Sequence, residues 1–223
     1  MRTQVLVVAS ASRSPRFDAV GGIAARQTGR DTVHLIGTAQ TPLGGDEICV
    51  DVRVEAGARL VLRSVAATVA LPSRETDLSS ASWTFDVADG ASLVFDPQPT
   101  IVASTADHRT VTRVVMARSA SVVVRERVRI GRSNESAGRW SGALNVDVEG
   151  RPRLRHRLEL GRGAAGHDVL FAPSALVSTL HIGDDEADTV TVDGHRLDRT
   201  TVRLPLAGGG SLCTWLGGEL PSS

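Results

Sequence analysis

Asp51-Val52-Arg53-Val54-Glu55-Ala56-Gly57-Ala58-Arg59-Leu60-Val61-Leu62 is echoed by Thr84-Phe85-Asp86-Val87-Ala88-Asp89-Gly90-Ala91-Ser92-Leu93-Val94-Phe95. By subtraction, Gly57 and Gly90 lie 33 positions apart. A third, weaker copy runs Val115-Met116-Ala117-Arg118-Ser119-Ala120-Ser121-Val122-Val123-Val124. Each unit reads strand, tight turn, strand. Such a unit cannot bury its apolar face alone, so the copies are expected to stack. The competing reading is that Gly-Ala turns echo one another in any all-β protein.

The strand period is clear on either side of the turns. Ile48, Val50, Val52 and Val54 share one face, and Glu47, Cys49, Asp51 and Arg53 the other, the pattern of a half-buried strand. Leu60 and Leu62 share a side. Val122, Val124 and Glu126 do likewise, while Arg125 and Arg127 point the opposite way. Glu126 thus continues an apolar face, where a carboxylate must pair, meet water or end the buried segment.

Strands are expected near 3–9, 31–37, 48–55, 58–65, 82–87, 91–96, 109–117, 120–127, 140–148, 152–160, 189–193, 200–206 and 211–216, all rich in Val, Leu, Ile and Thr and separated by Gly, Pro, Asp and Ser. The best helix candidate lies between Ala164 and Leu180, but Pro173 interrupts it, and a strand from Ala175 to Ile182 is the alternative. The fold class expected is all-β, a β-superhelical scaffold of stacked strands with few short helices.

Composition narrows the function. The 223 residues carry 25 arginines, no lysine and 25 carboxylates, for a formal net charge of zero. That argues against a general nucleic-acid or membrane surface, which needs a basic excess. Tyrosine is absent and aromatics are scarce, so the core must be aliphatic. Cys49 and Cys213 are far apart, against a disulfide framework. The apolar run after Arg2 is too short for a signal peptide and reads as a first strand. A soluble, cytoplasmic protein is expected.

Conventional chemistry is sparse. Thr41-Pro42-Leu43-Gly44-Gly45-Asp46-Glu47 is a tight turn with Pro42, Gly44 and Gly45 as its structural residues, like Gly57 and Gly90 in the repeat. Asp46 either accepts backbone N–H bonds within the turn or offers a carboxylate to a cation or a partner's arginine. Cys49 lies between Glu47 and Asp51, where sulfur beside two carboxylates suits a soft or borderline divalent metal, and a lone buried thiol is the commoner reading; Cys213 reads as core. His34, His108, His156, His167, His181 and His195 form no metal-binding spacing. His156, flanked by arginines, suits an exposed strand. Asp184, Asp185, Glu186 and Asp188 lack the spacing of a calcium loop. No nucleophile elbow or Cys–His signature occurs. Gly208-Gly209-Gly210 lacks the Lys-Ser/Thr of a phosphate loop and reads as a hairpin turn.

Several runs together carry a resemblance. Thr41-Pro42-Leu43-Gly44-Gly45-Asp46, Val54-Glu55-Ala56-Gly57-Ala58-Arg59-Leu60 and Ala66-Ala67-Thr68 resemble the opening signature of the urease accessory proteins UreD, also called UreH. Leu93-Val94-Phe95-Asp96-Pro97-Gln98-Pro99-Thr100-Ile101 and Glu126-Arg127-Val128-Arg129-Ile130-Gly131-Arg132 are similar to the family's middle motifs. The likeness is strongest over about 20–160 of what reads as one UreD-like domain, 1–223, and the short, lysine-free form resembles an actinobacterial, mycobacterial-type member. The family's Pro-Gly-Gly ahead of Gly-Gly-Asp is missing.

The resemblance implies a β-superhelical, non-enzymatic chaperone. It would dock on apo-urease and, with a helical UreF-type partner and a UreG-type GTPase, support nickel insertion, with an internal passage for the metal. It implies no partner nucleic acid or membrane, and no tightly bound cofactor beyond transient nickel. A carrier must release its ion, so carboxylates, hydroxyls and water suit it better than a His/Cys cage. Asp46 and Glu126 are the expected metal-passage residues, with Ser64 and Thr68 as weaker members. The rival readings are a β-solenoid carbohydrate-active enzyme with an Asp/Glu pair, for which aromatic platforms are few, and a secreted structural β-module.

Overall fold

Residue pairing turns the echo in the sequence into geometry. Asp51 pairs with Thr84, Val54 with Val87, Arg59 with Ser92 and Leu62 with Phe95. The third copy follows in the same register, Val87 with Met116 and Leu93 with Val122. The copies are successive coils of one β-superhelix, each resting on the last through parallel strands.

The computed structural model describes residues 1–165, 172–183 and 199–221. The strands in these are β1 (Arg2–Ala9), β2 (Arg16–Val20), β3 (Ile23–Gly29), β4 (Thr32–Gly37), β5 (Glu47–Val54), β6 (Arg59–Ser64), β7 (Thr68–Ala70), β8 (Leu78–Val87) and β9 (Ser92–Asp96). There follow β10 (Thr100–Val102), β11 (Asp107–Met116), β12 (Ser121–Ile130), β13 (Arg139–Val148), β14 (Arg151–Gly161), β15 (Ala175–Ile182), β16 (Arg199–Pro205) and β17 (Ser211–Gly217). No helix occurs among the described residues, and none there could cross a membrane. Where the sequence left helix or strand open before Leu180, β15 is a strand. The expected strand at 189–193, His167, His195 and the Asp184–Asp188 cluster lie outside the described residues.

The strands form two sheets. One is seven-stranded, in the order β14-β13-β11-β8-β5-β1-β2. The other is ten-stranded, β16-β17-β15-β12-β9-β6-β4-β3, with β10 and β7 branching from β12. The chain alternates between the sheets through β5 to β13, so every coil contributes a strand to each. The coil turns also stack: the Gly57 amide donates to the Asp89 carbonyl at 2.9 Å. The Gly90 amide donates to the Ser119 hydroxyl at 3.0 Å, which donates on to Asp89 at 3.0 Å. The hydroxyl of Ser119 thus links the third turn, which has no glycine, to the second.

Alternation puts the aliphatic residues between the sheets. Val7, Val52, Phe85, Val114 and Val146 form one continuous buried rung of the seven-stranded sheet. Val33, Leu62, Phe95, Val124, Leu180 and Leu212 form the opposing rung. Phe95 bridges the layers, its ring centroid 4.9 Å from Phe85 and 4.8 Å from Trp83. A smaller core lies at the other end of the strands, around Trp140, Val128, Ile130 and Leu176. Full burial of one such side chain contributes about 1.5–3 kcal/mol, so these ladders account for stability without any large aromatic content. Cys213 departs from expectation: Leu212 takes the core position, and the thiol is half-buried on the outer face. His156 is also half-buried, and burial lowers its pKa.

Candidate functional site

The inward faces stop being apolar midway along the strands, between the two cores. In β11, reading back from Met116 and Val114, the same face gives Thr112, Thr110 and His108. In β12, Val122 and Val124 are followed by Glu126 and then Val128. Ala81 and Gly142 flank Thr110 on the neighbouring strands. Ala81 lines the space left between the sheets, while the Trp140 ring packs over Gly142.

The ten-stranded wall, which carries Glu126, is opened by breaks in the ladder. β6 ends at Ser64 and its coil resumes pairing at Thr68; β9 ends at Asp96 and resumes at Thr100. Pro97 and Pro99 enforce the second break, since proline lacks the N–H a ladder needs. The breaks stack, because Thr68 pairs with Thr100. Hydrogen bonds seal them together: the Gln98 amide donates to the Ser64 hydroxyl at 2.8 Å, and the Thr68 amide to the Pro99 carbonyl at 2.9 Å. Glu126 lies beside this gap on the adjacent strand, between the Val124–Phe95 and Val128–Thr100 pairs.

The result is a cavity of about 320 Å³ lined by Glu126, Thr110, Thr112, His108, Ser64 and Thr68, among others. The Thr110 hydroxyl donates to Glu126 Oε1 at 2.8 Å. Burial raises the Glu126 pKa to about 7 against the modest opposing effect of that bond. Burial likewise drives His108 down to about 4, which Asp107 only partly opposes. His108 is therefore neutral at pH 7, with Nδ1 2.9 Å from the Ser79 hydroxyl. Three of the four expected passage residues, Glu126, Ser64 and Thr68, line this one cavity.

Asp46 does not line it. Its carboxylate accepts the Thr41 hydroxyl at 2.8 Å and the Leu43 amide at 2.9 Å, and it also meets the Met1 amine. Burial pushes its pKa up, but these bonds outweigh burial and hold it below the usual carboxylate value. Asp46 reaches the cavity through Thr41, which is part of the lining. Pro42 follows a cis peptide bond and Gly45 has φ +87°, so the residues singled out in this turn shape it. Among the described residues no group of three or more His, Cys, Asp or Glu side chains could cage a metal. The sequence reading passed over His108, Thr110 and Thr112. The signal was available, because the same period of two that exposed Glu126 places them inward.

The pKa shifts fix a pH dependence of folding. Glu126 is raised, so its contribution is complete below its unfolded value near 4.5 and is lost as pH climbs to about 7. Replacing it by Gln should remove that loss. The unfolding free energy of Glu126→Gln should gain on the parent by up to about 3 kcal/mol between these limits, read as urea midpoints against pH. A difference that stays constant with pH would contradict the buried, proton-holding carboxyl.

A family model described as UreD urease accessory protein matches residues 23–217. The chain is 38% identical over 208 residues to "Urease accessory protein UreD" of Frankia alni, covering 83% of this chain and 68% of that one. It is 37% identical over 196 residues to "Urease accessory protein UreD 1" of Saccharopolyspora erythraea, covering 86% and 74%. For "Urease accessory protein UreD" of Streptomyces avermitilis the figures are 33% over 209 residues, 91% and 83%. A stacked-coil β-scaffold with a polar chamber between its sheets is the class of protein at hand. The chain belongs to the UreD urease accessory protein family.

Proposed function

We propose that this protein is a non-enzymatic scaffold for urease maturation, docking on apo-urease with a UreF-type helical partner and a UreG-type GTPase and passing nickel through its interior. Family membership supports the urease role. The observation that carries the passage is the single carboxylate of Glu126, facing hydroxyls in a cavity of about 320 Å³. At neutral pH its proton competes with a cation, and hydroxyls and water complete a weak, exchangeable oxygen shell for a divalent ion. Nickel is cargo here and leaves as readily as it enters. Asp46 acts at one remove, holding Thr41 against the cavity. Ser64 and Thr68 hold the stacked breaks that form the wall.

The test is removal of this protein from a urease-producing host. Urease should assemble with normal subunit stoichiometry but contain little nickel by metal analysis, and excess nickel should only partly restore activity. Fully loaded urease without this chain would refute the reading.

A further inference from the structure

The outer face of the ten-stranded sheet carries a second recess, of about 490 Å³, on the far side of β12 from Glu126. Strand alternation builds it. With Leu62, Phe95 and Val124 directed inward, Arg63, Asp96 and Arg125 come outward on one rung, followed by Thr179. Arg127 lies two residues further along β12 on the same face. Three guanidiniums therefore surround one carboxylate, which pairs with two of them.

Asp96 Oδ1 meets Arg127 at 2.8 Å and Arg125 at 3.3 Å. Arg125 Nε also donates to the Thr179 hydroxyl at 3.4 Å, and Arg127 to the Pro97 carbonyl at 2.7 Å. Arg63 is exposed and has no hydrogen-bond or ion-pair partner among the described residues. Each guanidinium has five N–H donors, so most of those here remain unfilled. The chain as a whole is neutral, yet this recess holds an excess of positive charge. Its walls include the apolar Val177, Pro99, Leu220 and Pro221.

We infer that this recess binds an acidic segment of a partner polypeptide, its carboxylates taking the free donors of Arg63, Arg125 and Arg127. Guanidinium forks match planar carboxylates, and Asp96 already shows that pairing in place. The rung crosses four strands at about 4.8 Å each, longer than a single tetrahedral anion. The apolar walls suit aliphatic side chains between the acidic ones. No aromatic ring lines the recess to stack a nucleobase. The recess opens on the outer face and shares Gln98, Arg125 and Arg127 with the cavity lining, but Arg63 and Asp96 line the recess and not the cavity, so peptide binding is read separately from nickel transfer.

A fluorescein-labelled peptide of alternating glutamate and leucine, titrated with the full chain, tests it. Binding should saturate and should weaken steeply from about 0.01 M to about 1 M salt, as the screening length falls from about 30 to about 3 Å. Arg63→Glu should loosen it about tenfold, and adding Arg125→Glu about a hundredfold. The glutamine version of the peptide should not bind. Arg53→Glu, exposed on the other sheet, should change nothing. Arg63 holds no structural partner, so its variant keeps the fold and the test. Parent-like binding by Arg63→Glu, equal loss in Arg53→Glu, or displacement of the peptide by equimolar inorganic phosphate or a short RNA would each overturn the assignment.

Discussion

Urease matured with Glu126→Ala at limiting nickel should contain about tenfold less metal than urease matured with the parent protein, the scale on which a supporting ligand acts. Glu126→Gln should fail similarly, and it is the more informative variant. Gln keeps the size of the side chain and a hydrogen-bond acceptor for Thr110, but it never ionises. It also removes the charge that burial opposes, so the variant should not lose stability as pH rises to neutral, and its urea midpoint is measured alongside. Lost nickel with that midpoint kept cannot be put down to lost fold. The parent should also show a pH profile. A cation needs the ionised carboxylate, and with a pKa of about 7 transfer should fall as pH drops through 7, the proton displacing the ion. Glu126→Gln should be low and flat across that range. Nickel content of the purified urease is the measurement, with complex assembly by gel filtration alongside. Full loading by both variants at limiting nickel would remove Glu126, the carboxylate in the cavity lining, from the path.

Much of this architecture can be read from the chain before folding. The echo from Asp51 to Leu62 and from Thr84 to Phe95 is matched by pairing residue for residue, because parallel coils keep constant register only when their lengths agree. Glu126 is inward for the reason that made it conspicuous, a polar residue in an apolar rung. The elements missed are those where periodicity is absent. β2 and β3 lie at sheet edges, and most of their side chains meet water, so no alternation marks them. β7 and β10 have three residues each, too short for a period to show. Yet these short strands, resuming the ladder after the stacked breaks, open the cavity wall. The site was legible as single residues, and the chamber that gathers them was not, since it depends on two coils breaking at the same height. For Asp46 the turn chemistry was visible, but the link to the cavity through Thr41 needed the fold.

Gly44→Ala should be the most damaging single methyl addition in the turn that carries Asp46, costing about 3 kcal/mol or more or yielding no soluble protein. The cause is contact, not backbone conformation. A Cβ at Gly44 would run into the Thr76 carbonyl and crowd the Ser73 amide at 2.8 Å, and neither backbone group can rotate away. The Gly44 amide is itself bonded to the Leu71 carbonyl at 2.9 Å, and the next amide, Gly45, to Leu78 at 2.7 Å, so the turn cannot retreat without breaking its own ties. Gly57→Ala is the contrasting case. Gly57 has φ +67° with nothing within 4 Å of an added Cβ, so only the left-handed backbone is strained, at about 1–2 kcal/mol. Asn tolerates that conformation better, and Gly57→Asn should recover much of the loss. No side chain should rescue Gly44. Urea midpoints of the three variants separate the two demands. A Gly44→Ala protein within about 1 kcal/mol of the parent would mean that the loop at Ser73–Thr76 is not packed against this turn, and that Thr41 and Asp46 are not held at the cavity by it.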